Sequence, residues 1–111
     1  MSLFRRTYKE NKYGAVKAKV DGVVFDSIKE SKRYVALKML QNLGEISELK
    51  IQVSFDLMVN GFKVSKYVAD FTYKTGDGNR TVEDCKGVLT PVYRLKKKLM
   101  KAIYNIDILE T

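Results

Sequence analysis

Between Leu49 and Val59 an apolar side chain stands at nearly every second position, with Lys50, Gln52, Ser54 and Asp56 between them. A period of two predicts a β-strand with one face buried. Asn60-Gly61 follows, a dipeptide that suits the two left-handed positions of a tight hairpin turn. The spacing then predicts a second strand over about 62–74, with Val64, Val68 and Asp70 on one face. The segment Thr75-Gly76-Asp77-Gly78-Asn79 predicts another turn, leading into a third strand over 80–86. Upstream, Ser27-Ile28-Lys29-Glu30 has the form of a capping box, opening a helix that should run to Leu43 and stop at Gly44. Ile28, Val35, Ala36, Met39, Leu40 and Leu43 make one broad apolar arc on that helix, with Glu30 near its edge beside Tyr34 and Leu37. After Gly87, Thr90 is placed as an N-cap and Pro91 suits the first helical position. This second helix should reach about Tyr104, with a short closing strand over 107–109. Val92, Leu95, Leu99, Ala102 and Ile103 are its expected buried stripe. The resulting order is α-β-β-β-α-β, an α/β domain with a mixed sheet.

Residues 1–20 keep neither period. They read as a basic arm carrying Arg5, Arg6 and Lys9, with a possible short strand at 18–20 and a turn at Asp21-Gly22 before Val23-Val24-Phe25. Residues 21–111 then form a single domain. No apolar run approaches the roughly 20 residues of a membrane span, and the polar start MSLFRRTYKENK lacks a signal-peptide core. No membrane association and a cytoplasmic location are therefore expected.

Composition narrows the chemistry. Lys and Arg number 21 against 13 Asp and Glu, for a net charge of +8. That balance favours an anionic partner, nucleic acid above all, although many soluble proteins are merely basic. With no His and a single cysteine, Cys85, a tetrahedral Cys/His zinc site is excluded. Any metal here must be a hard cation held by oxygens.

The stretch VEDCKG at 82–87 carries the candidate chemistry. In an extended strand Val82, Asp84 and Lys86 share one face, while Glu83 and Cys85 share the other. Glu83 is thus expected on the sheet surface, pointing away from any site. If the turn before this strand is Gly76-Asp77-Gly78, paired residue numbers sum to 154 and Asp70 faces Asp84, with Cβ atoms roughly 5 Å apart. Two opposed carboxylates repel unless a proton or a cation bridges them, or unless they are a solvated pair eased by Lys86. Lys96 is a second oddity, because it falls inside the apolar arc of the second helix. It either snorkels to the rim or aims at a phosphate near the helix start, where the backbone N–H groups favour anions. Tyr93 and Lys97 flank the same edge. Glu30 has two competing uses, completing the capping box with Ser27 or reaching a metal. Gln52, on the polar face of the first strand, is either a border of the site or an ordinary strand amide.

An acid on helix one, an Asp near a strand end, (D/E)-x-K on the next strand and then a basic helix resemble the PD-(D/E)xK nuclease superfamily. FDSIKESKRY, GEISELKIQVSF, YVADFTY and VEDCKG with TPVYRLKKK are similar to a family of small phage and prophage proteins placed in that superfamily. The likeness covers about residues 13–110. Ala69 stands where the superfamily name has proline, and no glutamine precedes Tyr93 in the pattern some superfamily exonucleases use. The resemblance implies a restriction-endonuclease-like αβββαβ core, a mixed sheet flanked by helices. It implies Mg²⁺ or Mn²⁺ held by Asp70, Asp84, the backbone carbonyl of Cys85 and Glu30, directly or through water. Lys86 would orient or deprotonate the attacking water, or stabilise charge developing on the phosphate. Arg5, Arg6, Lys9, Tyr93, Lys96 and Lys97 would contact DNA. The expected activity is metal-dependent endonucleolytic hydrolysis of phage recombination or replication intermediates, such as branched or four-way junction DNA. A homodimer in the cytoplasm of a bacterial host is expected with it. The alternatives are a non-catalytic basic nucleic-acid-binding protein and a small protein-interaction module.

Overall fold

Each turn predicted from sequence is present, and each has a visible backbone cause. Asn60 (φ 50°) and Gly61 (φ 81°) both adopt left-handed conformations, the requirement of a two-residue hairpin turn. They join β4 (Ile46–Val59) to β5 (Phe62–Thr75). At the next hairpin Thr75 N–H donates to the Asn79 carbonyl (2.9 Å) and Gly78 N–H to the Thr75 carbonyl (2.9 Å). Gly78 has φ +85°, as the last position of such a three-residue loop requires. That hairpin leads into β6 (Arg80–Asp84).

The computed structural model describes residues 8–10, 16–86 and 88–111. Short strands β1 (Tyr8–Glu10), β2 (Val16–Val20) and β3 (Val23–Phe25) precede helix α1 (Ile28–Asn42). After β4, β5 and β6 come helix α2 (Pro91–Tyr104) and strand β7 (Leu109–Glu110). From α1 onward the order is αβββαβ, the α/β arrangement expected. The four-stranded sheet runs β4-β5-β6-β7, antiparallel except for the parallel β6–β7 pair, so it is mixed. The closing strand lies at 109–110 rather than 107–109. Among the described residues no helix is long and apolar enough to cross a membrane.

The chain divides into two compact units, Met1–Met39 and Leu40–Thr111. In the first, β1, β2 and β3 form an antiparallel three-stranded sheet. The segment read as an arm therefore contributes two strands. The short strand expected at 18–20 lies inside β2, whose residues Val16-Lys17-Ala18-Lys19-Val20 alternate strictly, but over too short a run for the period to stand out. Among the described residues of this unit, Ala18, Val20, Phe25, Tyr34 and Leu37 are the buried apolar ones. The Phe25 and Tyr34 rings lie 5.1 Å apart, and Tyr34 Oη donates to Asp21 Oδ2 (3.2 Å).

The burial of α1 departs from expectation. Its buried positions are Glu30, Ser31, Tyr34 and Leu37, while Met39 and Leu43 are 59% and 70% exposed. At 100° per residue that stripe lies nearly opposite the predicted arc. The short link from β3 and the Phe25–Tyr34 contact set the rotation of the helix. An aromatic ring has more area to bury than the scattered aliphatics on the other side. The predicted ends of α1 hold. Glu30 N–H donates to Ser27 Oγ (3.1 Å), and Gly44 (φ 80°) closes a Schellman turn, with Glu45 N–H to Leu40 O (2.9 Å) and Gly44 N–H to Gln41 O (3.0 Å).

In the second unit α2 packs on β4 and β5. Leu57, Tyr67, Ala69, Val82, Tyr93, Met100 and Ile108 form the core, with Phe55, Leu99, Ile103 and Ile106 at its margin. Thr90 Oγ1 accepts from Tyr93 N–H (3.1 Å), Pro91 holds the first helical position, and Asn105 (φ 55°) ends the helix. The buried side of α2 is turned from the predicted stripe by about 75°: Leu99 and Ile103 pack at the core margin as expected, but Val92, Leu95 and Ala102 do not. Tyr93 and Met100 are buried, whereas Val92 and Leu95 are 63% and 58% exposed and Ala102 is exposed. Tyr93 decides this rotation, because both its ring and its hydroxyl find partners on the sheet side.

Candidate active site

The pairs Phe71↔Glu83, Thr72↔Val82, Tyr73↔Thr81 and Lys74↔Arg80 each sum to 154, the register expected from the loop. One further step sets Asp70 opposite Asp84. Asp70 Oδ2 accepts the Cys85 backbone N–H (2.8 Å), which ties this carboxylate to the end of β6. Asp84 is 1% exposed. Its Oδ2 accepts from Tyr67 Oη (2.5 Å), and Lys86 Nζ lies 3.3 Å from its Oδ1. The Lys86 ammonium also sits 4.7 Å from the centroid of the Tyr93 ring, on the negative face of the π-system. Asp70, Asp84 and Lys86 are thus gathered at one end of β6, as the sequence reading required.

How Tyr67 reaches Asp84 is less obvious. Strict alternation from the Asp70/Asp84 pair would put Tyr67 on the other face of the sheet. The β4–β5 ladder is interrupted between Ile51/Phe71 and Val53/Ala69, where Gln52 faces Asp70, and Gln52 has φ +50°. Before this point Tyr67 and Ala69 are buried on alternate positions; beyond it Phe71, Thr72 and Tyr73 are buried in succession. Tyr67 and Ala69 share the core cluster with Val82. The left-handed residue therefore coincides with a change of face, and Asp70 is the residue that faces it. Backbone of this kind costs energy in a non-glycine residue and persists where its surroundings enforce it.

Burial and the neighbouring carboxylates act together on two hydroxyls. Burial, then the hydrogen bond to Asp84, raises Tyr67 far above the ordinary tyrosine value. Burial and the hydrogen bond to Glu110 (2.7 Å) do the same for Tyr93. The charges of both Asp84 and Asp70 contribute at each hydroxyl, so the two carboxylates lie in one electrostatic neighbourhood. Both tyrosines stay protonated donors at all ordinary pH. Glu110 is held below the usual carboxylate range by Tyr93 and then Lys97. Lys97 Nζ lies 3.2 Å from Glu110 Oε1.

The donor set suits a hard cation in one respect. Asp84 Oδ1 is buried without a hydrogen-bond partner, since Lys86 stands at ion-pair distance but off hydrogen-bond geometry. A buried carboxylate oxygen left in that state costs energy that a cation would recover. Among the described residues no group of three or more His, Cys, Asp or Glu side chains is spaced to hold a metal. A cation at this place would therefore draw on Asp70, Asp84 and main-chain oxygen, with the Cys85 carbonyl as the implied donor.

Glu30 lies in the first unit, 4% exposed in the first turn of α1, and its backbone N–H takes the Ser27 cap. Arg5 and Arg6 are outside the described residues, and Lys9 is placed only as the centre of β1. Tyr93 is 5% exposed, and Lys96 is half-buried on the wall of a cleft of about 310 Å³ beside Lys86. Glu83 is not a surface residue. It is fully buried on the face opposite Asp84, accepting from Tyr73 Oη (2.7 Å) and Thr111 Oγ1 (3.1 Å). Polar partners at Tyr73 and at the chain end make that burial tolerable, and neither was visible from strand periodicity. Tyr67, Glu110 and Lys66 were also missed. Tyr67 and Lys66 belong to the run KYVAD, in which the sequence patterns single out Val68, Ala69 and Asp70 but neither of these two.

Neither a curated protein nor a solved structure matches this sequence. Residues 10–109 match the profile of a family described as protein of unknown function (DUF1064). With nearly all of its length inside that match, the chain belongs to the DUF1064 family.

Proposed function

We propose that this protein is a metal-dependent DNA endonuclease, with Asp70, Asp84 and Lys86 at its centre. The supporting observation is the shared end of β6. There the 154 register opposes two acids, and Lys86 lies 3.3 Å from one of them. The net charge of +8 suits a polyanionic substrate. Asp70, Asp84 and the Cys85 carbonyl would hold Mg²⁺ or Mn²⁺. Such an ion supplies Lewis acidity at the scissile phosphate and a more acidic bound water.

The chain's own residues do the rest. Tyr67 fixes the Asp84 carboxylate, and the Cys85 N–H fixes that of Asp70, so neither must reorganise when substrate arrives. Lys86, steadied on the Tyr93 ring, presents a positive charge where negative charge grows on the phosphate. Water is the nucleophile, and the products are a phosphate terminus and a hydroxyl terminus. The substrate we favour is branched or four-way junction DNA, acted on by a homodimer in the cytoplasm of a bacterial host carrying the phage or prophage gene. Glu30 is assigned to the same centre only through the resemblance to PD-(D/E)xK nucleases.

A second reading has its own observation. Asp70 accepts from the Cys85 N–H, and Asp84 accepts from Tyr67 with the Lys86 charge 3.3 Å away, so the chain's own groups offset both carboxylates without a cation. The chain would then bind nucleic acid without cutting it.

Cleavage of plasmid, flap and four-way junction DNA in Mg²⁺, Mn²⁺ or EDTA separates the two. Activity should require metal, and Asp70→Ala or Lys86→Ala should lose at least about 10²-fold. Salt-sensitive binding with no cleavage in either metal would establish the second reading.

A further inference from the structure

We infer that the cleft between β5 and the start of α2 binds a backbone phosphate of a single DNA strand, next to the candidate centre. Lys66, Lys86 and Lys96 line this cleft together with Val68, Thr90 and Val92. Three lysines around one cleft concentrate positive charge, and only Lys86 has a carboxylate partner there, Asp84. Among the described residues Lys66 and Lys96 pair with no acid, whereas Lys63, Lys74, Lys97 and Lys101 each have one within 3.2 Å. The choice of partners sharpens this contrast. Asp56 is the cross-strand neighbour of Lys66, yet its carboxylate lies 3.2 Å from Lys63. Glu110, on β7, is committed to Tyr93 and Lys97.

Lys96 stands half-buried on the packed side of α2, with its stem along apolar groups and its residue on the wall of the cleft. The amino-terminal end of α2, at Thr90, adds its own partial positive charge. The remaining wall is apolar: Val68 is 43% exposed and Val92 63% exposed. Cations beside an apolar surface fit a nucleotide, phosphate on one side and sugar or unpaired base on the other. About 310 Å³ has room for one nucleotide, and the apolar part of the wall offers a contact that an unpaired base can use and a stacked, paired one cannot. The inference deepens the nuclease reading by naming which strand form enters. It depends on that reading only for its biological meaning, because binding is measured without metal.

The test is fluorescence anisotropy of the full chain in EDTA with a labelled single-stranded oligonucleotide of about 8 nucleotides, and with the duplex of that length. Wild type should bind the single strand more tightly than the duplex. Lys66→Gln with Lys96→Gln should lose at least about tenfold in single-strand affinity and about 1 in the log–log salt slope. Lys98→Gln with Lys101→Gln removes the same charge from elsewhere on α2 and should lose less than about threefold. Circular dichroism melts establish that each variant is folded. Equal losses in the two double variants, or duplex binding as tight as single-strand binding, would overturn the assignment. Metal-dependent cleavage kept by the Lys66/Lys96 variant, with binding unchanged, would remove the cleft and leave the nuclease reading standing.

Discussion

At the scale of single residues, the pair Tyr67–Asp84 organises the site. Tyr67→Phe removes the donor to a buried carboxylate and should cost about 1.5–3 kcal/mol at neutral pH, measured by urea melts. The alkaline limb carries a sharper signature. The folded chain keeps the Tyr67 and Tyr93 hydroxyls protonated well above 10.0, where the unfolded chain loses both protons. Stability is therefore full below pH 10 and falls as pH rises beyond it, by up to about 1.4 kcal/mol per pH unit for each tyrosine. Tyr67→Phe should shed one tyrosine's share of that slope; an unchanged slope would remove Tyr67 from the account. Asp84 gives a test of metal independent of activity. Mg²⁺ or Mn²⁺ at about 100 times Kd should stabilise wild type by about 2.7 kcal/mol and leave the Tm of Asp84→Asn unmoved. Why Asp84 was legible in the sequence and Tyr67 was not has a simple cause. Asp84 follows from a loop length and a period of two, whereas Tyr67 reaches it across the break at Gln52.

At the scale of elements, ends are local and faces are not. Thr90 caps α2 within three residues of itself, so Thr90→Ala should cost about 1 kcal/mol in thermal or urea melts. The attachment of α2 to β7 runs through Glu110, which accepts from Tyr93 and meets Lys97. Glu110 is held below its usual 4.5, so its contribution is present above that value and is lost as pH falls through the lower folded value. A melt series on the acid side should show wild type losing stability that Glu110→Gln never had. Parallel curves for the two proteins would show that the tie contributes nothing. The rotations of α1 and α2, by contrast, were misjudged from the helical wheel. Both helices spread apolar residues around much of their circumference, and their phase is set by one aromatic each, Tyr34 against Phe25 and Tyr93 against the sheet.

For the whole molecule, the excess of positive charge makes one prediction independent of catalysis. DNA affinity should fall linearly on a log–log scale with salt between about 50 and 200 mM, in EDTA as in Mg²⁺. A flat response would remove nucleic acid as the partner and the nuclease reading with it. The sequence by itself determined the αβββαβ order from the first helix onward, both hairpin turns and the N-caps of both helices. The 154 register, and with it the approach of Asp70, Asp84 and Lys86, followed only if the loop is Gly76-Asp77-Gly78, as the structure has it. These rest on loop lengths, periods of two and hydrogen bonds that span a few residues. Only the tertiary structure decided which side of each helix is buried, that Glu83 lies in the interior, and that Lys66 and Lys96 face one cleft. Those outcomes depend on which surfaces meet across long separations in the chain, and no local period records that.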